Sequence, residues 1–433
     1  MIKVVKFGGS SVSSPIQFKK VKNIIESDNN RRIIVVSAVG KKDTDDYKIT
    51  DLLYLCHAHL NYNINCDNIY NLIINKFENI QKELNIDFDI KKELINLKNS
   101  LNKNTDLDYL VSRGEYFTAI LMSKFLNIKF IDAKDLIFFN FDGSINYEKT
   151  KIEFEKIKYE KIIIPGFYGS LPNGDIKIMQ RGGGDVTGAI MANVANASIY
   201  ENFTDVSGIL MADPRIIDNP KEIHYISYKE LRELSYMGAN VLHEEAIFPV
   251  KEKGIPIHIL NTNKPNNKGT IIKDEIKEEN NIITGIAGKK DFSVITLSKG
   301  HMSNEIGLIR KALEIFEKYR ISIEHIPSGV DSFSIVVETK SVKPYIYDII
   351  SELKNICKPD NINIMDNISL IATVGRNMKN MSGLSGRLFL ALGKNNINIS
   401  VISQTSDELN IIIGVSNNDY EKAIKTIYNE FIQ

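Results

Sequence analysis

Short apolar runs alternate with helical patterns over the first 290 residues of this 433-residue chain. The clearest runs cover residues 2–5, 32–38, 161–165, 198–203 and 255–260. Short apolar strands with intervening helices are typical of a mostly parallel sheet that helices cover on both faces. The pattern therefore predicts an α/β fold for residues 1–290.

Two stretches of this region differ from the alternating pattern. Residues 41–110 are polar, and their apolar positions recur at helical spacing at Ile73, Phe77, Ile80 and Leu84. We interpret residues 41–110 as a helical, lid-like excursion beside the sheet. The charged stretch 264–281 is predicted to be a linker.

The C-terminal third of the chain contains an internal repeat. Equivalent positions 76 residues apart open a helix at Gly307 and Gly383, open a strand at Ile321 and Ile397, and lie in a later strand at Ile335 and Ile411. The repeat predicts two strand–helix–strand–strand units, at 291–365 and 366–433. Two copies without clusters of catalytic residues favour a regulatory pair. A duplication that only dimerises is the alternative.

Charge and cysteine content exclude several classes of protein. Lys plus Arg and Asp plus Glu both number 54, so the formal net charge is zero and nothing favours binding to nucleic acid or an anionic membrane. No apolar run approaches the roughly 20 residues of a membrane helix, and the N-terminus lacks a signal-peptide pattern. Cys56, Cys66 and Cys357 show no spacing typical of a zinc site or a disulfide framework. We expect a cytoplasmic protein.

The segment 6–11 (KFGGSS) follows the first predicted strand and precedes a helical pattern. A glycine turn at a helix N-terminus exposes backbone N–H groups that can bind an anion. Its lysine precedes the glycines, whereas a Walker A loop has its lysine after them. The segment thus indicates phosphate binding outside the P-loop class. A tight turn that needs glycine only for its backbone angles is the alternative.

Three further segments carry candidate chemistry. The segment 181–185 (RGGGD) precedes a helix predicted from Val186. It combines a second glycine turn with an arginine that can bind a carboxylate or phosphate bidentately. Asp185 could instead be only the N-cap of that helix. Residues 204–215 follow a buried strand, where α/β sheets place ligands. The segment 112–115 (SRGE) is predicted to begin a helix, where Glu115 either complements the helix dipole or accepts hydrogen bonds from an ammonium group.

Together these segments resemble the aspartate kinases of the amino acid kinase family. Residues 6–11 resemble the family's KFGGSS/TSV signature, 181–185 its RGGSD, 204–215 its TDVPGI…DPR, 112–115 its S-x-GE, 49–53 its ITxLL and 238–243 its GAKVLH. The terminal repeat resembles its paired βαββαβ ACT domains, with 396–399 and 404–411 similar to NINI and QxSSExNI. The resemblance spans nearly the whole chain in the family's order. It implies the amino acid kinase fold at 1–290, followed by two ACT domains.

The resemblance also implies an activity. The β-carboxylate of L-aspartate would attack ATP, with Mg²⁺ on its phosphates, to give 4-phospho-L-aspartate and ADP, the first step towards lysine, threonine and methionine. An amino-acid effector, lysine or else threonine, would bind the ACT domains of a homodimer or a tetramer. The implied catalytic residues are Lys6, Asp185 and Arg181.

The resemblance assigns binding roles to residues of this sequence. Aspartate would be bound by Ser37, Thr50, Glu115, Arg181, Gly184 and Asp185. The nucleotide would be bound by Lys6, Phe7, Gly8, Gly9, Ser10, Thr204, Asp205, Leu210, Arg215 and Asn240. The effector would be bound by Met302, Ser322, Ile323 and Glu324.

Four positions depart from the family's pattern. Gly184 replaces a serine, Ser207 a proline and Leu210 an aromatic residue, and Asn240 replaces a lysine near the nucleotide. Two other functions stay open. One is a kinase of the same fold that acts on another acceptor, and the other is an amino-acid-sensing ACT protein with an impaired kinase domain.

Overall fold

The computed structural model describes residues 1–158, 160–179, 182–239, 242, 247–276, 282–379, 381–404, 407 and 409–432. The chain forms two compact units. The first unit comprises Met1–Ile209, His224–Tyr228 and Val241–Lys277. The second unit comprises Leu210–Ile223, Lys229–Asn240 and Glu278–Gln433.

Strands and helices alternate along both units. The strands are β1 (Lys3–Phe7), β2 (Arg31–Val36), β3 (Lys129–Phe130), β4 (Ile162–Pro165), β5 (Tyr168–Ser170), β6 (Ile176–Ile178), β7 (Ile199–Thr204), β8 (Ile209–Leu210), β9 (Glu222–Ile223), β10 (Tyr225–Ile226), β11 (Ile257–Asn261), β12 (Thr270–Ile272), β13 (Gly285–Ser298), β14 (Ser332–Glu338), β15 (Asn361–Val374), β16 (Val401–Ser403) and β17 (Asn410–Ser416). The helices are α1 (Pro15–Glu26), α2 (Ile49–Asn61), α3 (Asp67–Glu83), α4 (Ile90–Ser100), α5 (Leu107–Leu126), α6 (Tyr147–Glu155), α7 (Gly183–Val194), α8 (Tyr228–Tyr236), α9 (Phe248–Lys251), α10 (Leu308–Lys318), α11 (Thr339–Val342), α12 (Ile346–Cys357), α13 (Leu384–Lys394) and α14 (Tyr420–Phe431). None of these described helices is long and apolar enough to cross a membrane.

A twisted sheet forms the centre of the first unit. Its described strands follow the order β10-β12-β11-β7-β1-β2-β4-β3, and each neighbouring pair is parallel except β11 and β12. The apolar residues of β1, β2 and β4 are buried without alternation, as expected for a sheet that is covered on both faces. The predicted parallel α/β fold is confirmed. The prediction of a linker at 264–281 is wrong in part, because β12 pairs there with β10 and β11.

The excursion at 41–110 is helical, as its spacing predicted. It contains α2, α3 and α4, and its buried side chains join the core of the first unit. The four apolar positions that predicted a helix face in α3 and just beyond it are all buried: Ile73, Phe77, Ile80 and Leu84. Motion of this excursion as a lid stays a prediction.

An antiparallel sheet in the order β14-β13-β15-β17-β16 forms the centre of the second unit. The two copies of the repeat share its longest strands. Residues 285–289 of β13 pair with 370–374 of β15, while the later part of β13 pairs with β14 and with 361–368 of β15. The two repeats are therefore built around one continuous sheet.

The glycines of the repeat cap equivalent helices. Gly307 and Gly383 have φ angles of 82° and 84° at the N-caps of α10 and α13, a left-handed conformation that favours glycine. Ile335 and Ile411 lie in β14 and β17, as predicted. The prediction that Ile321 and Ile397 open strands is wrong. Both side chains are buried, but the chain there runs as irregular backbone.

Candidate active site

A cleft of about 1040 Å³ lies beyond the carboxyl ends of β1, β2 and β4 in the first unit. This end of a parallel sheet is where α/β proteins bind ligands. Six of the residues predicted from the sequence line it: Lys6, Ser37, Thr50, Glu115, Gly184 and Asp185. Side chains with no predicted role also line it, among them Lys48, Tyr54, Phe167 and Lys177.

The first glycine loop packs backbone against backbone. A Cβ atom on Gly9 would lie 3.0 Å from the Ala38 carbonyl oxygen, and one on Gly40 would lie 2.5 Å from the Gly9 carbonyl carbon. The Gly40 N–H donates to the Gly9 oxygen at 3.0 Å. Glycine is thus needed at Gly9 for close approach, whereas Gly8, with φ −69°, has an ordinary extended conformation. The loop after β1 is held against the loop after β2.

Lys6 lies at the end of β1 and is only 8% exposed. Its Nζ lies 2.5 Å from Oδ1 of Asp185, which belongs to the first turn of α7. The Asn202 side chain donates to the same oxygen at 3.1 Å. The Tyr200 hydroxyl donates to the Asp185 backbone oxygen at 3.1 Å. Asp185 is thus held by three groups from two neighbouring strands.

The second glycine loop ends at the start of α7. The N-cap is Gly182, with φ 81°, so α7 begins at Gly183 rather than at Val186. The alternative that Asp185 is the N-cap is therefore wrong. A Cβ on Gly184 would lie 2.8 Å from Ser37 Oγ and 3.3 Å from Lys6 Cε, so the absence of a side chain there leaves room for both. Arg181 lies outside the described residues.

Glu115 is a buried acid that lines the cleft. Helix α5 begins at Leu107 after an Asp106 cap, so Glu115 lies in its third turn, and the prediction that it complements the helix dipole in the first turn is wrong. Glu115 is 5% exposed, and its Oε2 has no hydrogen-bond partner among the described residues. Burial raises the pKa of the Glu115 carboxyl to about 8, although backbone N–H groups and the charge of Lys6 oppose this rise.

Gly114 allows the close packing that brings Glu115 to the cleft. A Cβ on Gly114 would lie 3.0 Å from the Ala38 Cβ and 3.2 Å from Ile49 Cγ2. The Thr118 hydroxyl accepts from the Val39 N–H at 3.2 Å and donates to the Gly114 oxygen at 2.8 Å. Helix α5 is therefore fixed against the loop that follows β2.

The remaining nucleotide candidates are distributed over both units. Phe7 is buried and stacks on Phe203 with ring centroids 5.1 Å apart, so only its backbone is available to a ligand. Thr204 donates to Asp205 at 3.1 Å at the end of β7. The others are Gly8, Gly9 and Ser10 in the first unit, Leu210 and Arg215 in the second unit, and Asn240, which lies outside the described residues.

The effector candidates belong to the second unit. Met302 is buried, Ile323 and Glu324 are half-buried and Ser322 is exposed. Beside them, His325 carries a buried Nε2 without a hydrogen-bond partner among the described residues, and burial lowers the pKa of its imidazole. In the part of the chain that the structure describes, no group of three His, Cys, Asp or Glu side chains is placed to hold a metal ion.

Sequence reasoning missed two residues of this region. Asn202 is one of three polar residues in strand β7, with Glu201 and Thr204, and only its pairing with β1 brings it to Lys6. Phe167 follows Gly166, and Phe167 itself has a φ angle of 81°, which is unusual for a residue with a bulky side chain. Thr187 Oγ1 accepts from the Phe167 N–H at 2.9 Å, and the Met179 N–H donates to the Phe167 oxygen at 2.7 Å. No local signal in the sequence marks either residue.

Comparison with known proteins places the chain in a family. Residues 1–261 match the model of the amino acid kinase family, and residues 371–431 match that of an ACT domain. Aspartokinase 3 of Bacillus subtilis (strain 168) is 33% identical over 99% of this chain and 98% of its own length. The aspartate kinase of Clostridium acetobutylicum is 52% identical, with a TM-score of 0.94 over 99% of this chain and 100% of that one.

A more distant structure shares the fold. Aspartokinase III of E. coli is 23% identical over the full length of both chains, with TM-scores of 0.76 for its complex with aspartate and ADP and 0.77 for its complex with lysine and aspartate. The family match and the two closer relatives agree with the fold of the chain and with an ACT domain near its C-terminus. The chain belongs to the amino acid kinase family, in its aspartokinase group with a C-terminal ACT domain.

Proposed function

We propose that this chain transfers the γ-phosphoryl group of ATP to the β-carboxylate of L-aspartate, giving 4-phospho-L-aspartate and ADP. The observation that carries the proposal is the buried carboxylate oxygen Oε2 of Glu115 in the cleft, which has no hydrogen-bond partner among the described residues. A substrate that brings an ammonium group supplies the partner that this oxygen lacks. The names of the relatives support aspartate as that substrate, and the E. coli enzyme was solved with aspartate and ADP.

The reaction needs positioning more than proton transfer. A β-carboxylate is ionised at neutral pH, so it attacks without a general base. In the transition state, negative charge spreads over the oxygens of the transferred group, and catalysis is then mainly charge stabilisation. We propose that the Lys6 ammonium and the N–H groups of Gly8, Gly9 and Ser10 stabilise this negative charge. Mg²⁺ would enter with the nucleotide, because its hard oxygen preference suits phosphate groups.

The substrate would be oriented from several sides of the cleft. Glu115, together with Asp185, would bind the α-ammonium group, and Arg181 the α-carboxylate. Ser37 and Thr50 would place hydroxyl groups beside the transferred group. Gly184 would let the substrate approach Lys6, because it adds no side chain between Lys6 and Ser37.

We propose that the nucleotide contacts the residues that the resemblance assigned to it. Thr204, Asp205 and the Phe7 backbone come from the first unit. Leu210 and Arg215 come from the second unit, and Asn240 completes the set. In this proposal residues 1–290 form the kinase domain, and 291–365 and 366–433 form the ACT domains of a cytoplasmic homodimer.

The second unit would bind lysine as a feedback effector, with threonine as the alternative. Glu324 is acidic and half-buried, which suits the binding of a cationic side chain. Ser322 and Ile323 directly precede it in the sequence, and Met302 belongs to the same repeat unit. The E. coli relative was solved with lysine. Millimolar lysine should lower activity and raise the melting temperature, with threonine and leucine as parallel arms. Lysine without effect on either measurement contradicts this assignment.

Aspartate-dependent ADP release tests the main proposal. Hydroxylamine converts an acyl phosphate into a hydroxamate, so the purified chain with ATP, Mg²⁺ and aspartate should give both ADP and a hydroxamate. Glutamate and a nucleoside monophosphate serve as alternative acceptors. Equal turnover with glutamate indicates another acceptor specificity, and absence of ADP release with any acceptor favours an amino-acid sensor with an impaired kinase domain.

A further inference from the structure

Asn202 is a buried amide that the proposed mechanism leaves without a role. It is 3% exposed on β7, where it lies directly opposite Lys6 of the parallel strand β1. Its Nδ2 donates to Asp185 Oδ1 at 3.1 Å, the same oxygen that lies 2.5 Å from Lys6 Nζ. One carboxylate oxygen thus receives two donors from neighbouring strands.

The chemistry of the contact defines the orientation of the amide. An ionised carboxylate only accepts hydrogen bonds, so the NH₂ end of Asn202 faces Asp185 and its carbonyl end points elsewhere. That carbonyl oxygen, Oδ1, is buried without a partner among the described residues. A buried side-chain oxygen without a partner is uncommon and calls for an explanation. By contrast, the buried Asn261 uses both ends of its amide, in bonds to Asp205, Ser207 and Asn263.

We propose that Asn202 is a positioning residue for phosphoryl transfer, which holds Asp185 in place while Lys6 turns to the transferred group. This inference rests on the proposed function. When Lys6 donates to phosphate oxygens, it gives up part of its bonding to Asp185. The Asp185 side chain is half-buried, so its carboxylate is only partly hydrated and is held less firmly when a partner is lost. The Asn202 amide stays as a second donor to that oxygen, so Asp185 does not follow Lys6 or leave its position.

Two substitutions of nearly equal size separate this role from space filling. Asn202→Leu removes the donor, and Asn202→Asp replaces the donor with a second acceptor that competes for the Lys6 ammonium. We expect the leucine variant to lower kcat roughly tenfold, with KM for aspartate and for ATP within about twofold of the wild type. We expect the aspartate variant to lower kcat further, because two carboxylates then hold Lys6 away from the nucleotide.

A matched control is available on α7. Asn193 is also buried, but its amide donates to the Pro249 carbonyl at 2.6 Å. Asn193→Leu should lower the melting temperature and leave kcat unchanged. If only one Asn202 variant folds, as judged by its melting curve, its kcat-against-KM split still carries the test.

The outcomes distinguish the inference from the proposed function. Wild-type kcat in the folded Asn202 variants overturns the positioning role. An equal loss of kcat in both variants, or a loss matched by a rise in KM, also overturns it, because space filling alone would give that result. Absence of aspartate-dependent turnover in the wild type instead contradicts the proposed function.

Discussion

Two buried glutamates, one in each unit, have opposite surroundings. Glu115 in the first unit is 5% exposed, and its Oε2 has no partner among the described residues. Glu230 in the second unit is fully buried, and Arg376 donates to it from its guanidinium at 3.0 and 3.1 Å and from its backbone N–H at 3.0 Å. Thr284 donates to the same carboxylate. Burial therefore does not by itself mark a functional acid; we expect a structural acid to have its partners within the fold and a ligand-binding acid to receive one from the ligand.

Hydrogen bonds around Glu230 also explain why segments that are distant in the sequence belong to the second unit. Glu230 and Glu233 lie on α8, and Asn410 of β17 donates to Glu233. The Lys221 N–H donates to the Tyr428 hydroxyl at 2.8 Å. These bonds tie residues 210–223 and 229–240 to the C-terminal repeat.

The largest expected effect comes from removing the partner of Glu230. Arg376→Met leaves a buried carboxylate without its cation, and breaking such a pair costs about 3–5 kcal/mol. Urea unfolding monitored by circular dichroism should show this loss. The double variant Glu230→Gln/Arg376→Met removes both charges and should recover much of the stability. A double variant as unstable as the single one contradicts the interpretation of Glu230 as a structural acid.

The second-largest expected effect comes from removing the positive charge of Lys6, which interacts electrostatically with Glu115. Lys6→Ala should lower kcat roughly 10³-fold, because a preorganised positive charge at the transferred phosphoryl group is lost. KM for aspartate should change much less. Lys3 lies on the same strand and pairs with Asp28 at 2.9 Å and Glu201 at 3.2 Å, so Lys3→Ala is a matched control that should keep kcat. Near-normal kcat in the Lys6 variant would remove Lys6 from the mechanism.

Glu115→Gln should chiefly raise KM for aspartate. A charge-assisted hydrogen bond to an ammonium contributes about 1.5–3 kcal/mol, which corresponds to a loss of roughly 10- to 100-fold. Steady-state kinetics at saturating ATP measures the change, and kcat should fall less than KM rises. An unchanged KM contradicts the proposed role of the unpaired oxygen.

The same variant tests the pKa of Glu115. Burial raises the pKa of Glu115 to about 8 in the folded protein, above the ordinary value of 4.5 for this group, so the folded protein binds this proton more tightly than the unfolded chain. The stability that this group contributes is complete below pH 4.5 and is lost as the pH rises through 8. Glu115→Gln without ligand should therefore gain stability over the wild type as the pH rises from 5 to 8. Urea unfolding at three pH values measures this difference, and a constant difference contradicts the pKa.

Features with a local physical cause were predictable from the sequence. The spacing of Gly307 and Gly383 identified two helix starts, because a left-handed residue at each N-cap favours glycine. Short apolar runs identified β1 and β2 as buried parallel strands. The resemblance named Glu115, but its missing partner is a property of the folded cleft.

Features that depend on pairing between distant segments were not predictable. Nothing local shows that β13 and β15 each serve both repeats. Asn202 resembles an ordinary polar residue in a strand until β7 pairs with β1. Helix α7 starts three residues before the predicted start, because glycines have low helix propensity, whereas here Gly182 caps the helix in a left-handed conformation and Gly183 begins it.

The smallest expected effect comes from the ion pair between Asp213 and Arg215, in which the arginine side chain is largely exposed. Arg215 is 86% exposed at its side chain and bonds Asp213 at 2.6 and 3.0 Å, which lowers the pKa of the Asp213 carboxyl. Exposed ion pairs contribute little because water competes for both charges. Asp213→Asn should therefore leave the melting temperature unchanged, while KM for ATP should fall slightly if Arg215 is released towards a phosphate. A markedly lower melting temperature of the Asp213→Asn variant would show that an ion pair stabilises the fold even where it is exposed. That result would contradict the conclusion from Glu115 and Glu230 that partners matter because the acids are buried.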